Sequence, residues 1–462
     1  MSATSSAARA LLRGTHGARC CACRAPTWAA RGPVLGATAA ATSSVSRFFS
    51  TSQPSASSSP AYVSAPVPSR SIIEISGRDT LKLLQGLVTN NVAHLGSPPQ
   101  QGGEQGALAP VHHSALYAGF LHPNGRLLAD TLLYALPSAA ASTPSDSVLI
   151  EVDSRAADSL LSFLKKFKLR SKVTLRAAAS DEWKVWQLWT PGGTALTAPT
   201  ESSPAPSSEI LQALAAVAAR QAQVRRDPRS AHLGFRALIP GSSAIESERN
   251  LRPAVQRQCS LFMLLRPAGQ LPNAGDTATY LAHRILQGIP EGHDDIIDAS
   301  SLPLEANMDL NAGVDFTKGC YVGQELTART HHTGVVRKRV VPVSFYPADQ
   351  LPPSSLALDS SFQTLSNAAN LDVRSSSSAS SATRRARSAG KLLGSTVHNL
   401  GLGLLRLDQV ERAQLEAGEE GGARMRTAVK GADGQEREIG IRPFIPASWD
   451  PQVVESVRLS TA

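Results

Sequence analysis

The residues best equipped for chemistry lie in one octet, Lys318-Gly319-Cys320-Tyr321-Val322-Gly323-Gln324-Glu325, followed by Arg329, His331, His332 and Gly334. A cysteine thiolate is both a nucleophile and a soft metal ligand. Lys318 is close to Cys320 in the chain, and Gln324–Thr330 can open a helix whose N-terminus carries partial positive charge. Both influences favour an ionised sulfur at Cys320. Gly319 and Gly323 bracket the cysteine, permit a tight turn and let a ligand or partner approach the backbone closely. In the helix Glu325 and Arg329 fall at i and i+4, with the acid N-terminal, the favourable order. The alternative is a small cysteine buried in a structural turn. Residue types alone leave the two open.

One cysteine does not complete an iron–sulfur site, which takes about four thiolates, or thiolates plus histidines. His331 and His332 are adjacent and in a strand would point to opposite faces, so they form no ready chelate. A cluster at Cys320 needs further ligands from a partner, a second copy or a small thiol. Other catalytic templates are missing: there is no P-loop, no Gly-x-Ser-x-Gly, no His-Glu-x-x-His and no Rossmann fingerprint. His112-His113 read as loop or strand-edge residues.

The elements that must hold this octet are readable from periodicity. Ser71–Ile75 alternates like a strand. Gly77-Arg78-Asp79 leads into a helix with Leu81, Leu83, Leu84 and Leu87 as its apolar stripe, and Asp79 is placed to accept free N–H groups at its start. Leu116–Leu121 and Arg126–Tyr134 are strands joined by the turn His122-Pro123-Asn124-Gly125. Ser154–Leu169 is an amphipathic helix, with Lys165, Lys166 and Lys168 on or near its last turn. Val173–Leu175, Trp183–Trp189 and Leu233–Ile239 read as strands, Glu209–Arg220 as a helix, and Val335–Val343 and Lys391–Leu407 as strand-rich. Trp183, Trp186 and Trp189 read as a partly buried strand rather than a base-stacking platform. Helices and strands interleave without βαβ spacing, which gives an α+β class.

Stretches 97–110, 135–147, 191–208 and 347–389 are rich in Ala, Ser, Gly and Pro and read as spacers, the last as a Ser-rich disordered insert. It holds Arg384-Arg385-Ala386-Arg387, read as a solvated run. Over 462 residues the net charge is +9, and residues 1–70 carry seven arginines and no acid, so the basic excess belongs mostly to this leader. Its Arg, Ala and Ser content marks a mitochondrial transit peptide over 1–49, with a disordered linker over 50–70. That distribution argues against a nucleic-acid partner. No apolar run is long enough to span a membrane. Cys20, Cys21 and Cys23 fall in the leader, leaving Cys259 and Cys320, which suits a reducing compartment.

The octet followed by Arg329 resembles the signature of YgfZ-type proteins, in the superfamily of the glycine-cleavage aminomethyltransferase (GcvT). That group includes a mitochondrial iron–sulfur cluster assembly factor acting late in 4Fe–4S protein maturation. Further blocks occur in the family's order: Leu84–Val92, Phe120–Asp130, Gly288-Ile289-Pro290-Glu291, Leu302–Asn307 and Gly390–Leu407. Two positions depart from it. Asn91 stands where the family usually has Asp. Ala129-Asp130 stands where the aminomethyltransferase has two adjacent acids, the first catalytic, so a carboxylate acting on a folate-bound one-carbon unit is missing at Ala129.

The resemblance implies a three-domain ring around a channel that binds tetrahydrofolate in relatives. Two interleaved domains would span 71–346, and a β-barrel-like domain 390–455. It implies that Lys318, Gly319, Cys320, Gly323, Gln324, Glu325 and Arg329 form the functional loop. Cys320 would be its thiol handle or shared metal ligand. The implied partners are A-type iron–sulfur scaffold proteins and 4Fe–4S client enzymes, through a bridged 2Fe–2S cluster in the mitochondrial matrix. The chain then reads as an assembly factor rather than a conventional enzyme. The alternatives are a folate-dependent one-carbon transferase and a tRNA-modification accessory.

Overall fold

A computed structural model describes residues 63–95, 115–136, 147–189, 223–240, 276–365, 367–376, 387–415, 424–430, 435–446 and 448–449. The leader, His112-His113, the helix expected over Glu209–Arg220 and Cys259 lie outside these residues.

Three β-structures organise the chain. The first is a five-stranded antiparallel sheet in the order β3-β4-β5-β2-β6. Its strands are β2 (Arg70–Ser76), β3 (Ala115–Leu121), β4 (Leu127–Ala135), β5 (Ser147–Asp153) and β6 (Thr174–Ala177). Side chains alternate across it. One face carries Ile73, Ile75, Ala129, Leu133, Val148, Ile150 and Val152. These pack on Leu84 of α1 (Thr80–Gln85) and on Leu160 and Leu164 of α2 (Ala157–Lys168). Asp79 caps α1 with no side-chain bond; its carboxylate instead accepts the Lys172 N–H at 2.7 Å and ties the start of α1 to β6.

The second is a four-stranded sheet, β1-β7-β9-β8, from β1 (Val63–Pro66), β7 (Trp183–Trp189), β8 (Gln223–Arg226) and β9 (Phe235–Pro240). β1 falls inside the stretch expected to be a linker: its residues pair antiparallel with Trp186–Trp189. Arg70, which composition grouped with the leader, opens β2 and is buried against Glu151. A composition window averages over such short strands. Trp189 is fully buried and stacks on His283 at 4.3 Å between ring centroids, so it belongs to the core.

The third is a closed barrel, β10-β13-β12-β11-β14-β15. It comprises β10 (Lys338–Pro347), β11 (Asp372–Ser376), β12 (Arg387–Val397), β13 (Leu400–Arg406), β14 (Arg424–Lys430) and β15 (Glu436–Pro443). It therefore starts about fifty residues before the expected boundary and takes β11 from the stretch read as an insert. Within β11, Val373 and Ser375 are buried, an inward alternation hidden by Ser-rich composition. Helices α3 (Thr277–Leu286), α4 (Gly292–Asp295), α5 (Gln324–Thr333) and α6 (Leu407–Leu415) complete the described α-helices. α3 and α4 touch β12. The α5 helix follows the octet directly.

Candidate functional site

The octet is seated by the motif that lies more than two hundred residues upstream. Lys318 is buried, and its ammonium donates to the carbonyls of Gln85 at 2.9 Å, Val88 at 2.6 Å and Asn90 at 2.8 Å. These carbonyls belong to the end of α1 and the turn after it, where helix carbonyls lack intrahelical donors. Burial pulls the ammonium down to about 8, against a smaller opposing pull from Asp315. The same two segments share more bonds. Thr89 Oγ1 donates to the Gly313 carbonyl at 2.6 Å, and Asn90 Nδ2 to that of Ala312 at 2.7 Å. The Asp315 and Val322 N–H groups donate to the Thr89 and Gly86 carbonyls at 3.1 Å each. Lys318 is thus a clip that joins two segments, and its three donors are spent on carbonyls. An effect on the Cys320 sulfur would then act through the ammonium's charge and not through a donated hydrogen bond.

Cys320 itself is exposed and unbridged. The two glycines around it differ in kind. A Cβ on Gly319 would meet nothing within 4 Å, so the chain leaves open space there. Gly323 adopts φ +78°, and a Cβ on it would lie 2.4 Å from the His122 carbonyl oxygen. Gly125, at φ +82°, returns the contact: its Cβ would lie 2.7 Å from Leu326 Cβ. The α5 N-terminus therefore nests on the His122–Gly125 hairpin turn, and Gly323 is the cap that permits it. Gln324 bends back so that its Oε1 accepts the Tyr321 N–H at 3.3 Å. Tyr321 is buried beneath the loop, with the Lys318 Nζ 4.9 Å from its ring centre, and burial pushes its phenol to about 12. Glu325 and Arg329 are exposed one turn apart on α5. His331 and His332 are in α5 rather than a strand, and His331 stacks on Phe316 at 3.6 Å. The arrangement is a thiol held on a firm base, open on one side.

A second polar constellation escaped the residue-type survey. The face of the first sheet opposite α1 and α2 meets the second sheet through a buried ionic layer. Arg70 Nε donates to Glu151 at 2.7 Å, and the Tyr134 hydroxyl donates to the same carboxylate at 2.7 Å. Arg236 of β9 also pairs with Glu151 and donates to Gln187 and to the Tyr280 hydroxyl. Tyr280 donates to Glu291, which Arg229 pairs, and Arg229 in turn pairs with Asp227. Burial would raise the Glu151 carboxyl, but Arg236 and Arg70 outweigh it and hold it at about 2. Glu291 is held well below the usual carboxylate range by Arg236 and Arg229, again against burial. The signal was present in the sequence: Glu151 interrupts an apolar alternation at a strand position facing inward.

Asp130 faces this layer, fully buried, and accepts the Gly292 N–H at 3.1 Å. Burial pushes its carboxyl up, while Arg70 opposes. Ala129 faces the apolar side with Phe120 and Ile73. A carboxyl thus reaches the layer one residue after the expected position. Nearby, the Tyr117 hydroxyl is buried without a hydrogen-bond partner. Here Glu151, Glu291 and Asp227 are closed by guanidinium groups, and Asp130 by a backbone N–H. Among the described residues these carboxylates are engaged within the chain, so a tetrahydrofolate would have to displace a guanidinium or the Gly292 N–H to reach one.

Comparison with known proteins agrees with this organisation. Residues 337–449 match the family model described as CAF17, C-terminal beta-barrel domain, the span over which the structure forms its barrel. The chain is 38% identical over 394 residues to the mitochondrial iron–sulfur cluster assembly factor IBA57 homolog of Mycosarcoma maydis, covering 83% of this chain and 84% of that one. It is 39% identical over 381 residues to the homolog of the same name in Aspergillus fumigatus, covering 79% and 76%. Among solved structures, glycine cleavage system aminomethyltransferase T from Bartonella henselae superposes with a TM-score of 0.51 at 11% identity, over 84% of this chain and 86% of that one. The last similarity establishes a GcvT-like α+β fold. Extensive identity at this level, together with the octet and the matching barrel, means that the chain belongs to the family of mitochondrial iron–sulfur cluster assembly factor IBA57 homologs.

Proposed function

We propose that this chain is a mitochondrial iron–sulfur cluster assembly factor that offers Cys320 as a shared ligand. The relatives carry that name and that location. The observation that supports the site is an exposed thiol on a loop clipped from beneath by Lys318, with free space over Gly319. The cluster is cargo. In its thiolate form Cys320 supplies one sulfur, and an A-type scaffold protein seated over Gly319 supplies the remaining thiolates. The product is a bridged 2Fe–2S species in the matrix, on the way to 4Fe–4S clients. Gln324 shapes the loop, and Glu325 and Arg329 present polar groups beside it.

The test is spectroscopic. The chain is purified with an A-type scaffold, and cluster retention is followed by visible absorption and circular dichroism. Cys320→Ala is expected to fold normally and to lose the shared cluster. Undiminished retention would refute the assignment. Gly319→Leu, whose Cβ would meet nothing within 4 Å, is expected to keep stability and weaken the complex.

A second reading, a folate-dependent one-carbon transferase, draws on Asp130, whose carboxyl reaches the buried layer. It requires the Arg–carboxylate layer to open. Tetrahydrofolate binding measured by calorimetry, abolished in Asp130→Asn, would promote it above the first.

A further inference from the structure

The end of α2 carries more positive charge than a helix terminus needs. Lys165, Lys166 and Lys168 complement the helix dipole. Beyond the helix, Arg170 and Lys172 continue the run, and Arg78 adjoins it where Gly77 packs against the Lys172 carbonyl. Among the described residues none of these six cations pairs with a carboxylate. Asp79, beside Arg78 in the chain, has its carboxylate engaged by the Lys172 N–H. Residues Ser76, Gly77 and Lys168–Thr174 line an open basin of about 710 Å³.

At the rim of this basin stands Leu169. It is 84% exposed, and it holds φ +45°, ψ −115°, a conformation that a γ-branched residue rarely adopts. Glycine would remove both the strain and the exposed hydrocarbon. A strained apolar residue kept in water between Lys168 and Arg170 points to a use for that side chain. Phe167, half-buried beneath Lys166, adds apolar surface at the same edge.

We infer that this edge docks on an anionic bilayer surface. The cations and the basin's hydroxyls at Ser76, Ser171 and Thr174 would take lipid phosphates, while Leu169 enters the acyl boundary. Cations ringing one projecting apolar side chain match that geometry. An RNA surface would call for exposed aromatic rings for stacking; the aromatic side chain at this edge, Phe167, is half-buried. An acidic protein would give charge contact without a use for Leu169. The inference does not depend on Cys320.

The experiment is flotation of the full chain with phosphatidylcholine vesicles, with and without phosphatidylglycerol. The arginines upstream of Val63 attract such vesicles too, so the readout is the difference between variants in one background. Leu169→Gly relieves the backbone and is expected to melt no lower than wild type while binding about tenfold more weakly. Replacing Lys165, Lys166, Arg170 and Lys172 by Gln is expected to weaken binding about fivefold per charge, with melting unchanged. Equal vesicle binding by both variants and wild type overturns the proposal. So does displacement by inorganic phosphate beyond that caused by chloride at equal ionic strength, which would mark a site for a soluble anion. Loss of tRNA or acidic-protein binding with vesicle binding intact overturns it as well.

Discussion

Replacing Lys318 by Met separates a structural clip from a group that acts on the sulfur. Methionine keeps the length and apolar stem over Tyr321 and removes the charge and all three donors. The carbonyls of Val88 and Asn90, which Lys318 reaches at 2.6 and 2.8 Å, would then lose a buried partner. Each buried acceptor left unmet costs about 1–3 kcal/mol. The Gln85 carbonyl is less buried and finds water. Against this, the variant no longer buries an ammonium, which the shift to about 8 identifies as unfavourable. The two acceptors together cost about 2–6 kcal/mol and the relieved ammonium returns about 3, so the net loss is expected at no more than about 2–3 kcal/mol, measured by urea unfolding. The loss should be local as well. Hydrogen exchange at the Asp315 and Val322 amides, which donate to Thr89 and Gly86, should accelerate, and with Cys20, Cys21, Cys23 and Cys259 replaced by Ser, maleimide labelling of Cys320 should change. Stability and exchange equal to wild type, together with abolished cluster retention, would refute the clip and assign Lys318 to the thiol or its cargo.

The two octet glycines should respond oppositely. Gly319→Ala should leave stability within about 0.5 kcal/mol, while Gly323→Ala, forced to φ +78° against the His122 carbonyl, should lose about 2 kcal/mol or more by thermal unfolding. Arg236→Leu takes one of two guanidinium partners from each of Glu151 and Glu291, leaving Arg70 and Arg229 in place, and should cost about 3 kcal/mol in urea. Glu151 has a folded value of about 2 against an ordinary 4.5. Because that value is depressed, its stabilisation is complete above about pH 4.5 and is lost as pH falls toward 2, amounting to about 3 kcal/mol. Urea midpoints from about pH 6 to about pH 3 should show a shallower decline in Glu151→Gln, and an unchanged slope would argue against the pairing.

Local signals carried much of the architecture into the sequence. The hairpin at His122–Gly125, the strand at Trp183–Trp189 and the amphipathic α2 were legible because each depends on neighbours in the chain. The Cys320 loop was legible as a glycine-flanked thiol before a helix. The orientation of Lys318 was not, because its acceptors lie at Gln85–Asn90 and only tertiary pairing turns the side chain inward. Asp130 was missed for a different reason. The β3–β4 ladder slips between Phe120 and Leu121, so that Leu128 and Ala129 both face the apolar side. A match of sequence positions carries no such slip, so the carboxyl that reaches the buried layer stands one residue on, at Asp130. Arg70 and β11 were obscured by low-complexity surroundings, where a few alternating residues do not move a composition average.

The seating of Lys318 has a consequence in time. Its acceptors are made early in synthesis and its ammonium late. Until the last third of the chain arrives, the turn after Leu84 holds carbonyls without their cation, and the thiol has no platform. The reactive sulfur is thus offered on its base only once Gln85–Asn90 and Lys318 have met. A chain in which these two segments stay apart would keep that sulfur on a loose strand, unable to hold a partner at a fixed distance. The clip therefore doubles as a check that distant segments have joined, made by the same contact that positions the loop.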